Sequence, residues 1–308
     1  MSFNNSIRAI GKKFPGSRYV ESAFNYPIYN IYYKRKLKKI NLAPENMLII
    51  GTIARSGTHY IMLLLANYIA YKINNSKGFS PSEMNDLFPN NWHLSYVNYH
   101  NIPFGDFYSG TLNKPDQVIK NIGVDEVTRS HSIFQKIFWK DSKVLHLYRN
   151  PLDYSVSLYN YKHKKRPDRI DRKSSPHEVL QEKFENYVAM YKSYSYAAKS
   201  GKYYHLRIAY EELIRDPIFY LGSILRWLGN EPDQAGINFA VEMSSIKKTR
   251  ELEDKGSVVN PTAKDLKGSF ISSGQVGQWK DYFTEKEFSY WESEFKRAQI
   301  DIKSFILD

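Results

Sequence analysis

Residues 47–72, MLIIGTIARSGTHYIMLLLANYIAYK, constrain the fold more than any other stretch of the chain. Met47 to Ile53 form a short apolar run rich in isoleucine, and its length and Gly51 predict a buried strand. From Gly57 onward the period changes. Ile61, Leu64, Leu65 and Tyr68 recur at helical spacing, with Met62, Leu63 and Ile69 beside them. A buried strand, a glycine-bearing turn and an apolar helix therefore follow one another directly. Backbone N–H groups in such a turn, with those of the first helical turn, make a site for an anion. Arg55 adds a fixed positive charge there, and Thr52, Ser56 and Thr58 add hydroxyl donors.

The alternation continues. VDEVTRSH reads as a short strand ending at His131, and KVLHLYRN as a clear strand from Lys143 to Arg149. Asn150 and Pro151 suit a helix cap and a first helical residue, and a helix is expected through DYSVSLYNYK. An amphipathic helix is predicted from roughly His177 to Lys199, then a strand in YYHLRIAY and one helix over EELIRDPIFYLGSILRWLG. Residues 74–120 are turn-rich and read as loop and short helix. The pattern predicts an α/β fold with a central, mostly parallel sheet of about five strands flanked by helices. A basic, aromatic segment covers residues 1–45, and residues 46–308 are expected to form a single domain.

Charge bounds the partners. Lys plus Arg is 44 and Asp plus Glu is 32, a net charge of +12 that calls for an anion. Much of the excess lies in KRKLKK (Lys34 to Lys39) and KHKKRPDRIDRK (Lys162 to Lys173), with no nucleic-acid motif beside them. The chain has no cysteine, which excludes disulfide scaffolds, thiol catalysis and thiolate zinc sites. No run approaches the roughly 18 apolar residues of a membrane span, and the start lacks a signal-peptide pattern. A cytoplasmic protein is expected, touching an anionic membrane peripherally if at all.

The turn at 51–60 fails two familiar patterns. Thr58 stands where the nucleotide kinase loop GxxxxGK[ST] needs lysine, and GxGxxG is absent. Its cation instead precedes Gly57 by two residues. A second anion feature follows the strand at 143–149. Arg149 leaves the strand end, where ligands bind in open α/β sheets, and Ser157 lies two turns into the next helix. Such an Arg–Ser pair suits a phosphate dianion.

Together these segments resemble the sulfotransferases that use 3′-phosphoadenosine-5′-phosphosulfate (PAPS). Residues 52–60, TIARSGTHY, align with the family's common TYPKSGTTW. Arg149, Asn150, Pro151, Asp153 and Ser157 match the segment that holds the donor's 3′-phosphate. SSGQVGQWKDYFT (Ser272 to Thr284) resembles RKGxxGxWKxxFT, with Ser272 and Ser273 in place of the basic pair. Lys264 or Lys267 would compensate for that lost charge. The resemblance implies a donor site of Thr52, Arg55, Ser56, Gly57, Thr58, His59, Tyr60, Arg149, Ser157, Tyr210, Ser272, Ser273 and Gly274. It places Arg55 at the 5′-phosphate and bridging oxygen, Tyr210 near the adenine and Tyr60 where a stacking tryptophan is usual. Ser245 and Ile246 fall in a region that lines the adenine pocket.

The resemblance further implies a transferase that moves a sulfuryl group from PAPS to an acceptor hydroxyl and releases adenosine 3′,5′-bisphosphate (PAP). The acceptor is a carbohydrate, glycolipid or small metabolite. The transferred group carries less charge than a phosphoryl group, so fixed cations can replace a metal, and no metal is expected. His131 is the expected general base, because VTRSHS resembles the family's KTH segment with Arg129 at the lysine. His59, His93 and Glu83 are its rivals. A non-catalytic nucleotide-binding or membrane-associated module of the same fold stays open, as does, less favourably, a P-loop kinase.

Overall fold

The computed structural model describes residues 43–88, 117–131, 133–134, 136–161, 175–255 and 274–306. Four strands form one sheet: β1 (Met47–Thr52), β2 (Glu126–Ser130), β3 (Lys143–Tyr148) and β4 (His205–Ala209). Their order is β2-β1-β3-β4, and every neighbouring pair is parallel. The sheet among the described residues thus has four strands rather than the five expected. The four that the sequence pattern marks out individually are all there.

Alternate residues of β1 serve opposite faces, as the pleat requires. Leu48 and Ile50, with Leu145 and Leu147 of β3, join the core under α1 (Thr58–Lys72) and α8 (Gln234–Met243). Met47, Ile49 and Val144 join the other core, with Leu180, Tyr187 and Tyr194 of α5 (Pro176–Lys199) and Trp291 and Phe295 of α10 (Glu285–Arg297). Helix α1 is buried from Ile61 to Ala70, which explains an apolar sequence nearly all round its circumference. Each of these large apolar side chains contributes about 1.5–3 kcal/mol on burial.

The shorter helices are α2 (Pro81–Leu87), α3 (Lys136–Trp139), α4 (Pro151–Asn160), α6 (Tyr210–Arg215), α7 (Pro217–Trp227) and α9 (Ile246–Asp254); α2, α6 and α7 join the α1 core, and α3 and α4 join the other. The single helix expected over 211–229 is two. Asp216 leaves helical geometry at φ −138°, accepts from the Phe219 N–H at 2.9 Å, and starts α7 with Pro217 at its first position. Proline lacks the N–H that a continuous helix would need there.

The strand order reverses at β1. From β1 the chain crosses to β2 on one side, then returns to β3 on the other. Such a reversal opens a crevice at the C-terminal ends of the two strands. The anion turn follows β1 and Arg149 follows β3, so both lie at this crevice.

Candidate active site

The turn after β1 is tightly wound. Ser56 N–H donates to the Ile53 carbonyl at 3.1 Å, and Gly57 caps α1 at φ 91°. A side chain at Gly57 would be strained in that left-handed geometry, and its Cβ would meet the Tyr210 ring at 2.5 Å. Arg55 also has positive φ, 70°, unusual for a residue with a Cβ. The turn thus bends its arginine toward the second strand end.

Arg55 Nε donates to Ser157 Oγ at 3.3 Å, and its guanidinium lies 4.8 Å from the Tyr161 ring centre. Arg149 Nη1 donates to the Arg55 carbonyl at 3.3 Å and Nη2 to the Gln275 carbonyl at 3.1 Å. Its guanidinium lies 4.6 Å from the Tyr210 ring centre. One arginine therefore ties the turn at 51–57 to the loop at 274–277, with Tyr210 beneath both. Tyr210 Oη reaches the Gly274 carbonyl at 3.4 Å. Burial, with Arg149 as a lesser cause, lowers Arg55 to about 10, so it stays charged at neutral pH. Ser56 Oγ and Arg149 Nε are buried without a hydrogen-bond partner among the described residues. Buried polar atoms are rarely left so, and a ligand oxygen would satisfy them.

The supports are as specific. Asn150 caps α4 by accepting from Leu152 N–H at 2.9 Å, with Pro151 next, as the sequence predicts. Asp153 accepts from the backbone N–H groups of Gly277 at 2.7 Å and Trp279 at 3.0 Å, which fastens the C-terminal glycine loop to α4. Glu211 accepts from Asn150 N–H at 2.9 Å, and Tyr187 donates to the Arg149 carbonyl. Burial raises the Glu211 carboxyl to about 7. Sequence reading missed Glu211, Tyr187 and Tyr161. Only Glu211 had a local signal, its place directly after Tyr210.

At the end of β2 stands His131, half-buried, with Nδ1 2.9 Å from the Thr52 carbonyl and 3.0 Å from Thr52 Oγ1. A carbonyl only accepts, so Nδ1 carries the proton and Nε2 keeps its lone pair. Thr52 Oγ1 also meets Thr58 Oγ1 at 2.7 Å. Thr52 and Thr58 thus link the anion turn to the histidine. Burial lowers the His131 pKa below its usual value, against the Thr52 carbonyl, which raises it. The ring is neutral at pH 7, as a base must be.

The rivals separate. His59 Nε2 accepts from Arg129 Nη1 at 3.1 Å. Glu83 closes a capping box with Ser80 at the start of α2. His93 lies outside the described residues, as do Ser272, Ser273, Lys264, Lys267, both basic stretches and most of the N-terminal segment. Tyr60 is half-buried and packs on the α1 core. Ser245 spends its hydroxyl as the cap of α9, and Ile246 lies against Gly274. Among the described residues no three of His, Asp or Glu gather as a metal would require.

A family model for the sulfotransferase domain matches residues 45–300, and the chain belongs to that family. It is a PAPS-dependent sulfotransferase. Human Sulfotransferase 2B1 is 23% identical over all of this chain and 81% of its own length. A 3-beta-hydroxysteroid sulfotransferase of Cavia porcellus is 28% identical over 49% of this chain and 54% of its own. The same fold occurs in retinol dehydratase solved with androsterone and inactive cofactor PAP (TM-score 0.58, 17% identity, 85% of this chain and 84% of that one). It recurs in a mouse sulfotransferase complexed with PAP (TM-score 0.52, 16% identity, 83% and 84%). No helix among the described residues is long and apolar enough to cross a membrane.

Proposed function

We propose that the crevice binds PAPS through the turn at 51–60 and Arg149, and that His131 takes the acceptor's proton. The observation that carries this reading is the convergence at the crevice. Arg55, Arg149, the unpartnered Ser56 hydroxyl and the neutral His131 come from the ends of β1, β2 and β3. Arg149 and Ser157 serve the 3′-phosphate, and Arg55 serves the 5′-phosphate. Thr52, Thr58 and Gly57 shape the loop, and Tyr60, Tyr210 and Gly274 border the nucleoside. As the acceptor oxygen attacks sulfur, its proton passes to His131 Nε2. The bond from sulfur to the 5′-phosphate oxygen breaks, and Arg55 meets the charge left on that oxygen. Arginine stabilises it as a fixed cation and does not protonate it.

The acceptor we propose is the alcohol of a small, largely apolar molecule. The support is the steroid named for the Cavia porcellus relative and the ligands of retinol dehydratase. Glycans, glycolipids and contact with an anionic membrane remain the alternative addresses for the basic stretches. Two measurements test the reading. Calorimetry should rank PAP above ADP and ATP, and a preference for ATP would remove the donor assignment. A screen with radiolabelled PAPS should find transfer to sterol-like alcohols. Label appearing only on glycans would overturn the acceptor class while leaving the donor site intact.

A further inference from the structure

Arg149 stands between two elements. β3 ends at Tyr148 and α4 starts at Pro151, so neither the sheet ladder nor the helix fixes the peptide that joins Arg149 to Asn150. Two buried side chains from elsewhere in the fold hold it. Tyr187 of α5 donates its hydroxyl to the Arg149 carbonyl, and Glu211 Oε1 of α6 accepts from the Asn150 N–H at 2.9 Å. That carbonyl and that N–H belong to the same peptide group, which is therefore gripped at both ends from two different helices.

A peptide group is planar, so holding both of its ends fixes ψ at Arg149 and φ at Asn150 together. Those two angles set the direction in which the chain leaves β3. They also set where the Arg149 stem stands relative to α4, the helix that carries Ser157. The guanidinium is placed accordingly. Nη1 and Nη2 reach the carbonyls of Arg55 and Gln275, and Nε is buried without a hydrogen-bond partner among the described residues. Arginine offers its N–H groups in a rigid fork on a long stem, so its value to an oxyanion depends on how the stem is held. The charge state of Glu211 responds to the same surroundings. Burial raises its carboxyl to about 7, while the Asn150 N–H and the Arg149 charge lower it. Buried carboxyls perturbed in this way cluster at functional sites.

We propose that Tyr187 and Glu211 are positioning residues that clamp the 149–150 peptide and thereby hold the Arg149 guanidinium ready for the donor's 3′-phosphate. This rests on the donor-site reading above, in which Arg149 serves that phosphate. Neither side chain touches the donor. Loss of the clamp should cost affinity for the 3′-phosphate and leave the rest of the nucleotide bound as before.

The test uses the full chain and compares Glu211→Ala, Glu211→Gln, Tyr187→Phe, Arg149→Ala and the double variant Glu211→Ala/Arg149→Ala. Calorimetry gives the affinities of PAP and adenosine 5′-phosphate, and their ratio isolates the 3′-phosphate. Glu211→Ala should weaken PAP about 5- to 30-fold and adenosine 5′-phosphate less than about threefold, the loss of one well-placed bond. Glu211→Gln, whose amide oxygen accepts from the same N–H, should stay within about threefold of wild type. Tyr187→Phe keeps the ring and removes only the hydroxyl, so PAP should weaken about 3- to 10-fold with the same selectivity. Once Arg149 is gone, Glu211→Ala should cost less than about twofold more, because the clamp acts through that arginine. In turnover, KM for PAPS should rise more than kcat falls. Equal losses for the two nucleotides, no recovery with Gln, or additive losses in the Arg149→Ala background each overturn the proposal. Should Glu211→Ala fail to fold, Tyr187→Phe decides alone, and unchanged selectivity for PAP overturns the clamp. If Arg149→Ala itself weakens both nucleotides equally, the 3′-phosphate assignment falls and this proposal with it. If Arg149→Ala is selective and the clamp variants are not, only the clamp falls.

Discussion

Arg149 and Arg207 sit on or just beyond neighbouring strands, and their chemistry is nearly the same. Arg149 stacks on Tyr210 at 4.6 Å, and Arg207 stacks on Tyr148 at 4.5 Å and Tyr191 at 4.6 Å. Neither has a carboxylate within ion-pair distance among the described residues. Their partners differ. Arg149 donates to backbone carbonyls of two loops, Arg55 and Gln275. Arg207 donates to side chains of packed elements, His146 Nδ1 at 3.3 Å and Ser195 Oγ at 3.2 Å. Arg149 follows the end of β3, where loops gather, while Arg207 lies within β4 beneath α5. Position along the strand, not residue type, separates a cation at the crevice from a cation within the scaffold.

The histidines repeat the contrast and supply the largest expected effect. His131 and His146 are both held neutral by burial. His131 stands at a strand end beside the Thr52 carbonyl. His146 is fully buried in β3, its ring stacked 4.1 Å from Tyr194. His131→Ala should reduce kcat by about 10²- to 10⁴-fold with PAP affinity nearly unchanged. Single-turnover assays beside calorimetry check this. Substantial residual turnover would move the proton to another group and erase the distinction between the two rings.

Arg149→Ala comes next. Charge-assisted bonds to phosphate are each worth about 1.5–3 kcal/mol, so PAP affinity should fall about 10- to 100-fold. Adenosine 5′-phosphate, which lacks the 3′ group, should lose much less. Equal losses for both ligands would mean that Arg149 acts only by tying the loops at 55 and 275 together. The matching change on the scaffold side, Arg207→Met, should leave PAP affinity unchanged. It should lower stability by about 1–3 kcal/mol, since His146 Nδ1 loses its donor. A denaturant titration with calorimetry on the same sample separates the two outcomes.

The same contrast explains what the sequence made legible. The turn at 51–57 was readable because its demands are local: a glycine at positive φ, a helix start, a cation two residues earlier. Asn150 and Pro151 were readable for the same reason. The cluster of His146, Tyr194, His205 and Arg207 was not. It depends on the register that sets His146 beside Arg207 across β3 and β4, and on α5 falling over both. No short-range rule relates residues 146, 194 and 207. The cluster still matters to the site, because a Cβ on Gly51 at the end of β1 would lie 2.3 Å from the Tyr194 hydroxyl. Bond partners across elements were hidden likewise. Sequence proposed Thr52 as a phosphate donor, and only the fold shows its carbonyl and hydroxyl meeting His131.

The smallest effect expected is a loss of stability in mild acid, and its sign can be worked out from the same side chains. Burial, with Arg207 second, lowers His205 to about 4 and His146 well below its usual value. His59 and His131 are lowered as well. In the unfolded chain these rings titrate near about 6.5. Between roughly pH 6.5 and 4 the unfolded state therefore binds protons that the folded state refuses, and stability falls as pH falls. Glu211 works the other way. Its carboxyl, raised to about 7, is protonated in the folded state first, so it adds stability over that same fall in pH. One carboxyl opposes four imidazoles, and the net slope should follow the imidazoles. Denaturant midpoints at intervals from pH 7.5 to 4.5 should decline, and His205→Gln should flatten the decline. His131→Ala should flatten it in the same way, because linkage counts protons and does not know which ring faces the ligand. A flat profile in the wild-type chain would sink the claim that scaffold and site histidines alike are held neutral by burial.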